Sequence, residues 1–225
     1  MKVLCTNGVK TVMLELLPEF ERMRGTKVEV VWGAAAALVK EIEGGTLCDL
    51  AILTAEAIDD LAKRGTVVTG SRIDLASSGI GLAVRKGAPK PDIATPDALK
   101  RALLAAKSVA HSKSGMSGIY FPTVLERLGI TDAMKSKIVV PQVPTPIGEV
   151  VARGDAELGV QQISELMPVP GVDIVGPLPP ELQRVTMFSA GLMTAAKDAG
   201  TAKALVTFVA ERSPPLLRSK GLSPP

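Results

Sequence analysis

Aromatic residues are scarce in this 225-residue chain: phenylalanine, tyrosine and tryptophan together make up 3% of it. Sugar-binding platforms and base-stacking surfaces depend on such rings, so both are disfavoured. The 26 basic and 23 acidic residues are interspersed, and the formal net charge is only +3. Because no stretch is rich in lysine and arginine, we expect no nucleic-acid partner.

Residues that carry catalytic or metal chemistry are also few. Histidine occurs once, at His111, and cysteine twice, at Cys5 and Cys48. A single histidine is too little material for a Ser-His-Asp triad or a histidine-rich metal site, and no CxxC spacing is present. Both cysteines lie in or beside apolar segments, which favours two buried thiols over a disulfide. We therefore expect neither a metal nor another cofactor.

Long apolar segments are absent as well. No run approaches the ~18 residues that a membrane-spanning helix needs, so no membrane insertion is expected. The N-terminal "MKVLCTNGVK" has a short apolar stretch before polar residues, which favours a strand over a signal peptide. We expect a periplasmic protein if a leader was removed, and a cytoplasmic protein otherwise.

Short β-rich segments alternate with helical patterns along the chain. This alternation predicts right-handed βαβ units and a parallel sheet covered by helices. Pro18 predicts a kink or a break in the first helix. In the first part of the chain the predicted strands are 2–6, 27–32, 49–54 and 79–87, and the predicted helices are 9–25, 34–45 and 55–65.

A second alternating set follows the proline- and glycine-rich "GAPKPDIATP". Its predicted helices are 96–107, 118–128, 146–153 and 199–212, and its predicted strands are 108–112, 138–142, 157–162, 172–176 and 185–193. Two sets joined by two long strands predict two lobes, residues 1–78 plus 186–225 and residues 79–185. Ligands of such sheets bind at the carboxyl ends of the strands.

The residues that follow the predicted strands are small, or polar and uncharged, and most of them open a helix. Helix starts leave backbone N–H groups unpaired, and small residues let an anion approach these groups. The basic residues at these ends are Lys10 and Lys113. We therefore expect a nearly neutral cradle for a small anion, made by Thr6, Asn7, Gly8, Gly33, Ala34, Ala35, Ser114, Ser117, Gly118, Thr145, Gln161 and Gln162.

Each of these residues also has a purely structural explanation. Ser117 could be the N-cap of a helix that begins at Gly118. Asn7 and Gly8 could form a turn with positive φ, the alanines could simply be helix formers, and the glutamines could be surface residues. Their shared position at the strand ends is what favours ligand binding.

The order of these segments resembles the molybdate-binding component of ABC transporters. The resemblance begins with "VLCTNGVKTVMLELLPEFERMRG" and continues through "SGMSGIYFPTVLERLG", "VPTPIGEVVARGDAELGVQQISEL" and "VDIVGPLPPELQ". It implies an α/β protein of the type II periplasmic-binding fold, with two lobes, a ligand cleft between them and two crossover strands. It also implies a small anionic ligand held by hydroxyls and backbone amides, and an ABC permease as partner if the protein is exported.

The sequence departs from the molybdate pattern at its hydroxyl donors. The family's first serine falls at about Gly8, its serine-rich loop on Ala34, Ala35 and Ala36, and a tyrosine on Gln162. A buried oxyanion loses about 1–3 kcal/mol for each missing partner. Molybdate is therefore disfavoured, and a di- or tricarboxylate suits the remaining amide groups better.

Aconitate isomerase resembles the same family, which provides an enzymatic alternative. Allylic isomerisation removes one proton and returns another while donors stabilise the developing charge. The candidate proton carriers are Lys10, His111, Lys113 and Glu165, of which His111 and Lys113 are the predicted catalytic residues. Because a lone histidine is more often structural, anion binding is the first prediction, isomerisation the second and a sensor without chemistry the third.

Overall fold

The computed structural model describes all 225 residues and has mixed α/β structure. The strands are β1 (Lys2–Thr6), β2 (Glu29–Gly33), β3 (Leu50–Thr54), β4 (Ile73–Arg85), β5 (Val109–His111), β6 (Ile138–Val139), β7 (Leu158–Gln162), β8 (Val172–Pro177) and β9 (Val185–Leu192). The helices are α1 (Lys10–Arg24), α2 (Ala35–Glu43), α3 (Ala55–Lys63), α4 (Pro96–Ala105), α5 (Met116–Arg127), α6 (Thr131–Met134), α7 (Ile147–Arg153), α8 (Ile163–Leu166), α9 (Ala199–Arg212) and α10 (Pro214–Leu217). The predicted α/β class is confirmed.

The chain divides into two compact units. Unit 1 contains Met1–Ser78 and Thr186–Pro225, and unit 2 contains Gly79–Val185. The first boundary falls within β4 and the second at the start of β9. Each unit has its own buried apolar clusters on both sides of its strands.

Unit 1 is built on the strand order β2-β1-β3-β9. The first three strands are parallel and β9 is antiparallel to β3. Because successive side chains point to opposite faces, Val3 and Cys5 join the cluster of α1 and α9, whereas Leu4 joins the cluster of α2 and α3. Parallel strands place all three carboxyl ends at one edge of this sheet.

Unit 2 has the strand order β6-β5-β7-β4, with β8 paired to β4. Strands β5, β6 and β7 are parallel, and β4 is antiparallel to β7. The larger cluster covers one face with residues of α4 and α5, among them Leu99 and Phe121. A smaller cluster joins Ala110 of β5 to Ile147 and Val150 of α7.

Two local details differ from the prediction. Helix α1 runs through Pro18 without a break and ends at Gly25, whose φ of 60° is left-handed. Strand β4 begins at Ile73, six residues before the predicted start. In its early part, Asp74 accepts a hydrogen bond from the Ser189 hydroxyl and Ser78 donates one to the Gly221 carbonyl. Because these polar residues find distant partners, the strand was not recognised from its sequence.

The remaining expectations about the two cysteines agree with the structure. Cys5 and Cys48 are both buried free thiols, so the prediction of no disulfide is confirmed. Burial raises the pKa of Cys5 above its ordinary range and that of Cys48 to about 11, so both stay protonated. None of the helices combines the length and the apolar character that crossing a bilayer requires.

Candidate functional site

The carboxyl edge of unit 1 brings two groups of predicted residues together. Thr6, the last residue of β1, is the register partner of Gly33, the last residue of β2. A short 3-10 turn, Asn7–Val9, leads from β1 into α1, and Ala34 precedes α2. The residues predicted around Thr6 and those predicted around Gly33 are therefore neighbours at this edge.

Gly8 is enclosed by an aromatic ring. A Cβ atom at this position would overlap the ring of Phe188, which belongs to β9 and is buried. The register pairs Phe188 with Thr54 at the end of β3, so the ring lies at the carboxyl edge. A serine hydroxyl at position 8 could therefore be accommodated only if Phe188 moved.

The donors that remain at this edge are amides. The carboxamide of Asn7 is partly exposed and bonds to no other protein group. Helix α2 has Ala34 as its N-cap, without a side-chain acceptor. The amides of Ala37 and Leu38 both donate to the Ala34 carbonyl, which leaves the N–H groups of Ala35 and Ala36 without partners.

Lys10 supplies a positive charge at this edge of unit 1. Its Nζ lies 5.6 Å from the centre of the Trp32 ring, a cation–π geometry that holds the long side chain in place. Trp32 directly precedes Gly33 in β2. The edge of unit 1 therefore combines small residues, free amides and one lysine.

The carboxyl edge of unit 2 is formed by the loop after β5 and by the end of β7. The register pairs His111 with Val160, the residue before Gln161 and Gln162, so this loop starts beside the end of β7. The Ser112 hydroxyl accepts a hydrogen bond from the Gly115 amide at 3.2 Å. A Cβ atom at Gly118 would overlap the Ser112 carbonyl oxygen, so only glycine fits this turn.

Helix α5 begins at Met116 with Gly115 as its N-cap, and no side chain caps it. Ser117 therefore lies inside the first turn, where it is buried, and the alternative that it is the N-cap is wrong. Lys113 and Ser114 precede the helix and are exposed. The first-turn amides of Met116, Ser117 and Gly118 have no hydrogen-bond partner.

His111 is buried and lies against an aromatic side chain. Its ring centre is 5.5 Å from that of Phe121 in α5. Its Nδ1 lies 3.0 Å from the Ser112 carbonyl oxygen. Because a carbonyl can only accept, Nδ1 carries the proton and Nε2 of the neutral ring is an acceptor. Burial lowers the pKa of His111 below its ordinary value, an effect that the bond to Ser112 opposes.

Gln161 is held by other groups of unit 2. Its Oε1 accepts the Ile147 amide at 3.0 Å, and its Nε2 donates to Glu165 Oε2 at 2.9 Å. Thr145, also predicted as a ligand residue, donates its hydroxyl proton to the Val143 carbonyl at 3.1 Å. Gln162 is buried and points to the opposite face of β7 from Gln161.

Capping separates the six helices of nine or more residues into two groups. Thr54, Thr95 and Asp198 side chains accept first-turn amides of α3, α4 and α9 at 3.1–3.2 Å. Helices α1, α2 and α5 have no such acceptor, although the first amide of α1 donates to the Asn7 carbonyl of the preceding 3-10 turn. A missing cap typically costs ~1 kcal/mol. The uncapped group follows β1, β2 and β5, where the sequence predicts ligand residues.

Two residues of these edges, Ser112 and Phe188, were not predicted as site residues, and Glu165 was predicted only as a candidate proton carrier. Ser112 accepts a hydrogen bond within its own loop, and Glu165 accepts one from the Gln161 side chain. Phe188 lies about 180 residues along the chain from Gly8, which it covers. The only sequence signals were the position of Ser112 at the end of a predicted strand and the position of Glu165 shortly after one.

Comparison with known proteins identifies the family. A family model described as bacterial extracellular solute-binding protein matches residues 1–222. The chain belongs to this family. The predicted solute-binding function is therefore confirmed.

Three individual proteins illustrate the family relationship. The chain is 35% identical to an aconitate isomerase from a Pseudomonas species, over 99% of this chain and 87% of that protein. It is 28% identical to the molybdate-binding protein ModA of Azotobacter vinelandii, over 88% of this chain and 79% of that protein. The solved periplasmic molybdate-binding protein of Azotobacter vinelandii superimposes with a TM-score of 0.82 at 18% identity, covering 100% of this chain and 99% of that one. The predicted type II periplasmic-binding fold and the resemblance to molybdate-binding proteins are confirmed.

Proposed function

We propose that this solute-binding protein takes a small di- or tricarboxylate as its ligand, bound by free helix amides at the carboxyl ends of its parallel strands. The observation that carries the proposal is that the first-turn amides of α2 and α5 have neither a side-chain cap nor another partner, while α3, α4 and α9 are capped. Free N–H groups at the positive end of a helix dipole are a favourable environment for an anion.

The kinds of donor favour a carboxylate over a tetrahedral oxyanion. Phe188 fills the space that a hydroxyl at position 8 would need, and alanines occupy the start of α2. What remains at this edge is the pair of amides of Ala35 and Ala36, the Asn7 carboxamide and the Lys10 ammonium. A planar carboxylate can accept two adjacent N–H groups and pair with one cation.

The names of the relatives point the same way. The relative with 35% identity is an aconitate isomerase, and aconitate is a tricarboxylate. Relatives at 28% identity and below include molybdate-binding proteins, whose ligand is also an anion. We further propose that the protein, when exported to the periplasm, delivers its ligand to an ABC permease.

The test removes one amide without removing the helix. Ala35→Pro deletes the N–H of the first residue of α2, and the extended backbone of Ala34 (φ −70°, ψ 141°) is compatible with a following proline. Isothermal titration with trans-aconitate, citrate, sulfate and molybdate should show a carboxylate as the best ligand of the wild-type protein. Ala35→Pro should weaken its binding by about 10- to 100-fold, which is the loss of one charge-assisted hydrogen bond.

The matched control is Ala55→Pro. It makes the same change at the first residue of α3, after Thr54 with nearly the same backbone angles (φ −73°, ψ 152°), in a helix that is capped. Its binding should equal that of the wild-type protein. A preference for molybdate over every carboxylate, or equal losses in the two variants, would contradict the proposal.

A second candidate function is isomerisation of aconitate, favoured by the tautomer of His111. With Nδ1 donating to Ser112 and a lowered pKa, the ring is neutral and Nε2 can accept a proton. In this mechanism a methylene proton of the substrate leaves, the double bond shifts by one carbon, and a proton returns at the other end of the allyl system. Lys113, exposed beside Ser114, would offset the developing negative charge.

Proton NMR of trans-aconitate in D2O with the purified protein measures this directly. Isomerisation would produce cis-aconitate and place deuterium at the methylene carbon, and His111→Gln and Lys113→Met would each slow the conversion at least tenfold. Lys137→Met, a change of the same charge near the amino end of the sheet, should leave the rate unchanged. Unchanged aconitate without deuterium would leave binding as the function.

A further inference from the structure

Glu165 is a carboxyl group with one hydrogen-bond partner in unit 2. It lies in α8, the short helix that follows β7, and its Oε2 accepts from Gln161 at 2.9 Å. Its other oxygen bonds to no protein group. The residue is only partly exposed. A carboxylate normally accepts several hydrogen bonds, so the ionised form of Glu165 is poorly satisfied here.

The hydrogen bonds fix the orientation of Gln161 between two groups. The Ile147 amide can only donate, so it requires Oε1 of Gln161, which in turn directs Nε2 towards Glu165. Glu165 Oε2 must therefore accept in both protonation states. The exchangeable proton of the neutral acid is left on Oε1, the oxygen without a partner.

No charged group offsets the carboxylate. Helix α8 packs against β7, β8 and α7. Strand β7 has no titratable residue, and Asp173 of β8 accepts the Gly87 amide. In α7, Glu149 and Arg153 pair with each other at 3.7 Å. Burial raises the pKa of Glu165 to about 7, and the hydrogen bond from Gln161 opposes this rise.

We propose that Glu165 takes up a proton when an anion binds to unit 2, so that affinity for anions falls as the pH rises above neutrality. The inference rests on the proposed function. Glu165 follows β7 at the same carboxyl edge as the loop after β5, whose α5 amides are free. For an assumed separation of about 10 Å and an effective dielectric constant of about 20, a bound negative charge would raise the proton affinity of the carboxylate by about tenfold.

The sign of the effect follows from proton linkage. Below pH 7 Glu165 is already neutral, so an anion binds without proton exchange. Above pH 7 the free protein carries the carboxylate, and binding of a second negative charge favours the protonated form. The dissociation constant should then rise by up to about tenfold in total and level off, with at most about half a proton taken up per anion, at a pH of about 7.5.

The experiment is calorimetric titration of the full chain with trans-aconitate between pH 6 and 8.5. At pH 8, titrations in HEPES and Tris, which have different ionisation heats, give the number of protons taken up. The wild-type protein should take up roughly 0.4 of a proton more than Glu165→Gln, whose affinity should be nearly independent of pH. Glu126→Gln, which removes an exposed carboxyl of the same unit, should behave like the wild-type protein.

A second variant keeps the inference testable if Glu165→Gln does not fold. Gln161→Met removes the only donor to the carboxylate, so the pH at which affinity begins to fall should move upward. Equal proton uptake in wild-type protein and Glu165→Gln, or an unmoved break in Gln161→Met, would overturn the inference while leaving anion binding intact. Absence of binding at every pH would instead contradict the proposed function, and this inference with it.

Discussion

The carboxyl edges of the two units offer free amides in different ways. In unit 1 the amides of α2 lie among alanines, Phe188 covers Gly8, and the one charged side chain beside them is Lys10. In unit 2 the loop turns tightly around Ser112. Burial raises the pKa of the nearby Glu165 to about 7 and lowers the pKa of His111 below its ordinary value. The comparison indicates that unit 1 provides a fixed shape and a constant charge, whereas the charge of unit 2 depends on pH.

The largest expected effect is on the loop of unit 2. Gly118→Ala places a Cβ atom on the Ser112 carbonyl, and because this is backbone the loop itself must move. We expect a loss of about 3 kcal/mol in the free energy of unfolding, together with loss of carboxylate binding. Chemical denaturation and calorimetric titration measure the two effects.

Gly200→Ala is the control for this change. Gly200 lies in the first turn of α9 with open space around its Cα, so the same substitution should be neutral or stabilising by up to ~1 kcal/mol. If Gly118→Ala were as stable as Gly200→Ala and bound carboxylates normally, the described loop geometry would be incorrect.

A somewhat smaller effect is expected from restoring a hydroxyl to unit 1. Gly8→Ser forces the Phe188 ring aside and should cost about 1–2 kcal/mol of stability, because a side chain can yield more easily than backbone. Adding Phe188→Leu to Gly8→Ser should recover part of that loss. Denaturation of both single variants and the double variant measures the coupling, and strictly additive effects would show that the ring does not exclude the hydroxyl.

The titration of Glu165 should also change the stability of the ligand-free protein. Between pH 4.5, the ordinary value, and about 7, folded Glu165 holds a proton that the unfolded chain has released, so its contribution to stability falls as the pH rises. Glu165→Gln removes this loss. Its melting temperature should exceed that of the wild-type protein at pH 8 by about 2–4 °C per kcal/mol relieved, and match it at pH 4.5. A constant difference at both pH values would contradict this interpretation.

The smallest effect is expected from the fixed charge of unit 1. Lys10→Met should weaken carboxylate binding about two- to fivefold at low salt, and less at high salt, because a partly exposed ammonium is screened. Lys40→Met makes the same change in the last turn of α2, away from the free amides, and should have no effect. Equal affinities of the two variants would show that Lys10 does not contribute to ligand binding.

The sequence predicted the order of strands and helices well because local patterns determine them. Strand β1 was predicted at its observed bounds and α9 likewise. The start of β4 was missed because its polar residues are satisfied by partners more than 100 positions away. Three one-turn helices, α6, α8 and α10, were also missed, since four residues carry too little periodicity to be recognised.

The candidate site was predictable only as a set of positions. Strand ends followed by small residues identified α2 and α5, but whether a helix is capped depends on local geometry: Ser117 lies one residue inside α5 rather than before it. The Gln161–Glu165 bond and the contact of Phe188 with Gly8 arise from packing between separate elements. Because such contacts cannot be read from the sequence, Gln161 was predicted to bind the ligand.

The most direct test of the account is an amide-resolved NMR titration of the labelled protein with trans-aconitate. If an anion binds the uncapped helix starts, the largest ¹H–¹⁵N shifts should occur at Ala35 and Ala36 of α2 and at Met116, Ser117 and Gly118 of α5. The capped first turns of α3 and α9, represented by Ala57 and Thr201, should stay in place. Equal shifts at the capped helices, or none at Ala35 and Ala36 under saturating ligand, would contradict the central claim.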